Sequence, residues 1–93
     1  MDLALSHPAE IALRTLGDED RRKIHAWLDY LRRWESDAFV RSKSRKLDLK
    51  GQEDVYVLRT STDLRLFFTL HNGRIEVIDI ARRESLNAVG HAS

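Results

Sequence analysis

The dipeptide Asn72-Gly73 stands between two runs rich in β-branched and aromatic residues, Leu64 to Leu70 and Arg74 to Ile80. Asn-Gly is the strongest short signal for a two-residue type I′ turn, because both residues tolerate the positive φ that the turn imposes. Such a hairpin sets the register by counting outward: His71 faces Arg74, Leu70 faces Ile75, Phe68 faces Val77 and Leu66 faces Asp79. Alternation then puts Leu64, Leu66, Phe68, Leu70, Ile75 and Val77 on one face, predicted to be covered by the rest of the chain. The other face carries Arg65, Phe67, Thr69, His71, Arg74, Glu76, Ile78, Ile80 and Arg82, with Arg65 across from Ile80 and diagonal to Arg82.

A third strand is predicted over Val55 to Thr60 from the same composition. A three-residue bulged turn at Ser61 to Asp63 places Arg59 opposite Arg65 on the open face. A four-residue turn would instead drive Arg59 into the covered face, where an unpaired charge is costly.

The first half of the chain has a different period. Asp2 to Leu5 reads as a short edge strand, and Ser6 as the N-cap of a helix with Pro8 in its first turn, where a missing N–H costs nothing. Ala9, Ala12, Leu13 and Leu16 form the apolar stripe of that helix, and Gly17 is expected to end it. Asp18 is the expected N-cap of a second helix, with Glu19 and Asp20 beside the positive end of its dipole and Ile24, Trp27, Leu28, Leu31 and Trp34 as its buried stripe. Residues 36–50 lose periodicity and gain charge, and are read as a loop with Phe39, Val40, Leu47 and Leu49 as its ordering residues. The fold class that results is α+β, a two-helix N-terminal hairpin packed on a small antiparallel C-terminal sheet.

With 93 residues, residues 1–93 are expected to form one domain, since so short a chain buries only about 60–65% of its unfolded surface. The apolar share of 42% suits a folded core. The absence of cysteine removes disulfides and thiolate chemistry and fits a cytoplasmic setting, and no run is long enough to span a membrane. No histidines are paired at metal-ligand spacing, so neither a metal nor another cofactor is expected.

Residues 1–38 carry six Arg/Lys against eight Asp/Glu, and residues 39–93 carry ten against seven. The positive half includes the run Arg41, Lys43, Arg45, Lys46 and Lys50, a candidate grip on RNA or DNA phosphates that is blind to sequence. Trp27 and Trp34 are expected in the core. Phe67, on the open face beside the arginines, is placed to stack a base or to receive an apolar side chain from a partner protein.

The stretch LDLKGQEDVYVLRTSTDLRLFFTLHNGRIEVIDIARRE combines a leucine and glycine before the first sheet strand, a strand ending in Leu-Arg, and a short polar turn. A Leu-Arg-initiated hydrophobic strand, a hairpin, a last strand and a basic pair follow. Together with the preceding helical hairpin it resembles the RelE/ParE superfamily of toxins from type II toxin-antitoxin systems. The resemblance implies a cytoplasmic toxin held by a cognate antitoxin protein. Its RelE-like members are ribosome-dependent mRNA endonucleases that inhibit translation, with the ribosome and mRNA as partners and no cofactor; its ParE-like members inhibit gyrase.

By the same resemblance Arg65 steadies the scissile phosphate, and Arg83, or Arg82 one place earlier, lies near the leaving oxygen. Arg59 is a further cation. The chain departs from the RelE pattern where it has Val55 and Val57 in place of strand lysines, and Leu86, Asn87, Ala88 and Val89 in place of a C-terminal tyrosine. Arginine is a poor general base. His71 stands far along the strand from Arg65, and Glu76 is the carboxylate assigned to the open face. Three readings therefore stay open: a ribosome-dependent nuclease, a gyrase inhibitor, and a non-catalytic toxin that only binds its antitoxin.

Overall fold

The computed structural model describes residues 1–47 and 54–82. Strand β1 (Asp2–Leu5) leads into helices α1 (His7–Thr15), α2 (Asp18–Arg32) and α3 (Ala38–Lys43). Strands β2 (Ser44–Leu47), β3 (Val55–Arg59), β4 (Leu64–His71) and β5 (Arg74–Arg82) follow. They build one sheet in the order β1-β5-β4-β3-β2. The β3 to β5 part is antiparallel as predicted, β2 extends it antiparallel beside β3, and β1 adds to β5 in parallel, so the sheet is mixed.

Ser6 starts α1 as expected: its hydroxyl accepts a hydrogen bond from the Ala9 N–H at 3.2 Å. The joint between the helices corrects two readings. Helix α1 closes on Leu16 in an extended conformation, and Gly17, also extended at φ −66°, is the N-cap of α2, with Asp18 its first helical residue. Gly17 thus uses none of glycine's left-handed freedom. Arg21 secures the joint instead, donating from Nη2 to the Leu16 carbonyl at 2.9 Å.

The segment read as a loop contains α3 and β2. Asp37 caps α3 by accepting from the Phe39 N–H at 2.9 Å, and Val40 is fully buried. Strand β2 then pairs with β3, Arg45 facing Val57 and Leu47 facing Val55. Six- and four-residue elements are too short to establish a period, so their order comes from Val40 reaching the core and from the edge of β3. Leu49 lies outside the described residues.

The hairpin turn is as read, with φ of 50° at Asn72 and 74° at Gly73. The predicted register holds from His71–Arg74 to Phe68–Val77 and then fails, because Ile78 is an extra residue and Phe67 pairs with Asp79. Leu66 therefore faces Ile80 rather than Asp79, and Arg65 faces Ala81 rather than Ile80. The reason lies in the side chains. An unbulged strand would set the Asp79 carboxylate against buried Leu66 and put Ile80 in solvent; one extra residue exchanges them, and Ile80 is only 6% exposed. The polar groups freed by the bulge are satisfied locally. The Ser6 hydroxyl donates to the Ile78 carbonyl at 2.8 Å, and the Asp79 carboxylate accepts from the Ile80 N–H at 2.8 Å.

The helices cover one face of the sheet. Ala9, Leu13 and Leu16 of the α1 segment, Ile24, Leu28 and Leu31 of α2 and Val40 pack on Leu58, Leu64, Leu66, Phe68, Ile75, Val77 and Ile80. Trp34, just past the end of α2, stands edge-on to Tyr56 and Phe68, each at 5.6 Å between ring centroids. None of the described helices is long and apolar enough to cross a membrane.

Candidate nucleic-acid interface

The face of the sheet opposite the helices holds a cleft of about 290 Å³ lined by Lys43, Arg45, Val57, Arg59 and Arg65. Four elements bring these residues together. Lys43 ends α3, Arg45 lies on β2 beside Val57, and Arg59 pairs directly with Arg65 across β3 and β4. The Arg59 pairing is the one expected from the bulged Ser61–Asp63 turn. Among the described residues no Asp or Glu lines the cleft, and four cationic groups surround one valine.

Like charges directly opposite one another destabilise a sheet. The cleft thus concentrates positive potential, which suits an anion with several charged oxygens. Arg65 is the anchored member: its Nη1 donates to the carbonyls of Ser61 at 3.1 Å and Leu64 at 3.2 Å, fixing the guanidinium at the β3–β4 turn. The side chains of Arg45 and Arg59 make no hydrogen bond or ion pair among the described residues, and Lys43 lies 5.6 Å from the Phe39 ring centroid. Phe67 is half-buried next to this floor, paired in register with Val57.

The remaining candidates divide differently from expectation. Arg82, predicted on the open face near Arg65, is across from Leu64 and turns to the helix side, because the bulge reverses the alternation of β5 beyond Ile78. There it pairs with Asp63 at 2.6 Å and with Asp20 of α2 at 3.5 Å. Hydrogen bonding to Asp63 raises the pKa of Arg82 above its ordinary value; desolvation opposes this and Asp20 reinforces it.

Arg41 is also turned away, its guanidinium donating to the carbonyls of Trp34 and Glu35 beyond the end of α2. Lys46 pairs with Asp54 at 3.2 Å. Of the run read as one cationic grip, only Lys43 and Arg45 line the cleft; Lys50 lies outside the described residues, as does Arg83. Sequence reasoning did not join Lys43 and Arg45 to Arg59 and Arg65. The only available signal was the alternation of Ser44, Arg45, Lys46 and Leu47, a strand pattern four residues long.

Glu76 is on the open face opposite Thr69 as predicted, and the bulge adds Asp79, paired with Phe67, to that face. A second cavity, of about 210 Å³, lies at the hairpin end of the same face and is lined by Thr69, His71, Arg74 and Glu76. Among the described residues, the cationic cleft contains arginine and lysine but no group that ordinarily exchanges protons near neutral pH. Such a set of cations is suited to holding an anion and to stabilising negative charge on it.

No protein-family model and no curated protein sequence matches this chain. Solved structures do. The chain is 22% identical to a chain of the archaeal RelE–RelB complex from Pyrococcus horikoshii OT3, at a TM-score of 0.69 over 88% of this chain and 93% of that one. It is 18% identical to the isolated E. coli RelE toxin, with a TM-score of 0.64, over 99% of this chain and 98% of that one. To the YoeB/ParE toxin from Agrobacterium tumefaciens it is 17% identical, with a TM-score of 0.67, over 89% and 99%. The arrangement of helices and mixed five-stranded sheet is therefore the RelE-like toxin fold.

Proposed function

We propose that this chain is the toxin of a toxin-antitoxin pair and that it acts on mRNA at the ribosome, inhibiting translation by promoting cleavage of the backbone. The observation that carries this reading is the cationic cleft of Lys43, Arg45, Arg59 and Arg65 on the open face of a RelE-like sheet. In-line cleavage by a 2′-hydroxyl builds negative charge on the oxygens around phosphorus. Arg65, held at the turn, and Arg59 opposite it stabilise that charge, while Lys43 and Arg45 hold flanking phosphates. Arg83 is assigned the position near the leaving oxygen from the resemblance of the C-terminal basic pair. Arg82, committed to Asp63 and Asp20, is assigned a structural role.

The partner protein is inferred from the fold, which recurs in RelE–RelB and RelBE complexes. A cognate antitoxin is proposed to silence the chain by covering the cationic face.

One observation favours a second reading. Among the described residues, none lining the cleft is an ordinary acid-base catalyst at neutral pH. A toxin that binds without cutting, as a gyrase inhibitor or as an antitoxin-binding protein alone, needs no such group.

Brief induction in cells, followed by radiolabelled amino-acid incorporation and transcript mapping, separates the readings. The nuclease reading expects translation to stop and transcripts to be cut within reading frames, with both effects lost in Arg59→Ala and Arg65→Ala. Intact transcripts and normal incorporation at confirmed protein levels overturn it in favour of binding alone.

A further inference from the structure

The second cavity on the open face differs in character from the first. Its four residues form a two-by-two grid across the β4–β5 hairpin, Thr69 opposite Glu76 and His71 opposite Arg74. Arg74 and Glu76 share the cavity without pairing with one another. Among the described residues neither side chain makes a hydrogen bond or ion pair, and the same holds for the side chains of Thr69 and His71. Ala4, the β1 neighbour of Glu76 in register, adds only a methyl group to that row.

An unpaired cation and an unpaired carboxylate in one small cavity present a set of donors and a pair of acceptors side by side. Phosphate does not fit this pattern, since Glu76 repels it. Guanine does. Its N1–H and exocyclic N2–H₂ donate to a single carboxylate, while O6 and N7 on the adjoining edge accept from a guanidinium, the commonest side-chain partner of that edge. Adenine offers a lone pair at N1 where guanine has a proton, so the same carboxylate rejects it. Single-stranded RNA exposes these edges, which a duplex hides.

The cavity is also correctly placed for a strand held in the cationic cleft. Thr69 and His71 lie on the same face of β4 as Arg65 and Phe67. From Arg65 to His71 the strand rises about 20 Å, a reach of a few extended nucleotides.

We propose that Thr69, His71, Arg74 and Glu76 form a guanine-selective subsite for single-stranded RNA, with Glu76 accepting from N1–H and N2–H₂ and Arg74 donating to O6 and N7. The inference rests on the RNA reading of the open face. It adds base selectivity to a cleft whose phosphate contacts carry none.

The test is a titration of the ¹⁵N-labelled full chain with inorganic phosphate, 5′-GMP and 5′-AMP, following backbone amide shifts. Shifts over Thr69 to Glu76 are expected with GMP, at an affinity roughly tenfold above AMP, the discrimination typical of a bidentate base contact. Glu76→Gln replaces an acceptor oxygen by a donor while keeping the shape, and is expected to abolish the preference with the other amides unmoved. Equal shifts for GMP and AMP at the hairpin, or none from either, overturn the subsite. Failure of the cleft reading has a separate signature, inorganic phosphate leaving the amides of Val57 to Arg65 unperturbed.

Discussion

Arg59 and Arg65 face one another directly across the β3–β4 ladder, the pair next to the turn, with Lys43 and Arg45 lining the same cleft. A sheet gains nothing from this arrangement, since like charges in register repel. Arg59→Ala is therefore expected to leave the urea midpoint unchanged or slightly raised while weakening RNA binding. Fluorescence anisotropy with a labelled single-stranded oligoribonucleotide checks the second half. Affinity should fall, and the slope of log K against log salt should become shallower by about 0.7, the contribution of one phosphate contact to a single strand. A variant that unfolds more easily yet binds RNA as before would make Arg59 structural.

Ser6 joins two parts of the fold with one hydroxyl. It caps α1 through the Ala9 N–H and donates to the carbonyl of Ile78, the residue inserted by the bulge in β5. Ser6→Ala removes both bonds and leaves that carbonyl without its hydroxyl donor. A loss of about 1–2 kcal/mol is expected. Urea unfolding should show a lower midpoint at an unchanged slope, and an unshifted midpoint would mean that another group satisfies the Ile78 carbonyl.

Arg82 gives a test of the bulged register. Because it pairs with Asp63 and Asp20 on the helix side, Arg82→Ala should lower the melting temperature and leave oligoribonucleotide affinity at the wild-type value. These ion pairs are half-exposed, so high salt should narrow the difference in melting temperature between variant and wild type. Weakening of RNA binding to the extent expected for Arg59→Ala would place Arg82 on the open face instead.

Gly73 sits in the left-handed region at φ 74°, with open space where a Cβ would stand. Substitution is therefore penalised by backbone conformation alone. Gly73→Ala is expected to cost about 1 kcal/mol by thermal or urea unfolding, and Asn72→Gly, which keeps the turn type accessible, should cost less. Equal stability of Gly73→Ala and wild type would indicate that the turn changes type at no cost.

The sequence by itself determined the elements whose signals are local. Asn72-Gly73 specified a turn and with it four residue pairs of the hairpin, Ser6 with Pro8 specified a helix start, and the Ser61–Asp63 turn specified that Arg59 meets Arg65. In each case a few adjacent residues fix the backbone angles, and the period of two or 3.6 carries the consequence outward. Tertiary structure decided the rest. The bulge at Ile78 arises because Leu66 and the helices above it require Ile80 and exclude Asp79, a choice made across the core and invisible to counting along the chain. That one residue moved Arg82 from the predicted site to a link with α2. Likewise α3 and β2 are too short to hold a shape alone: Val40 orders the first by entering the core and β3 orders the second by pairing, and together they carry Lys43 and Arg45 to Arg59 and Arg65. A charge run in sequence thus became two tethers, Arg41 and Lys46, and two walls of a cleft, because long-range packing alone sets which way each side chain faces.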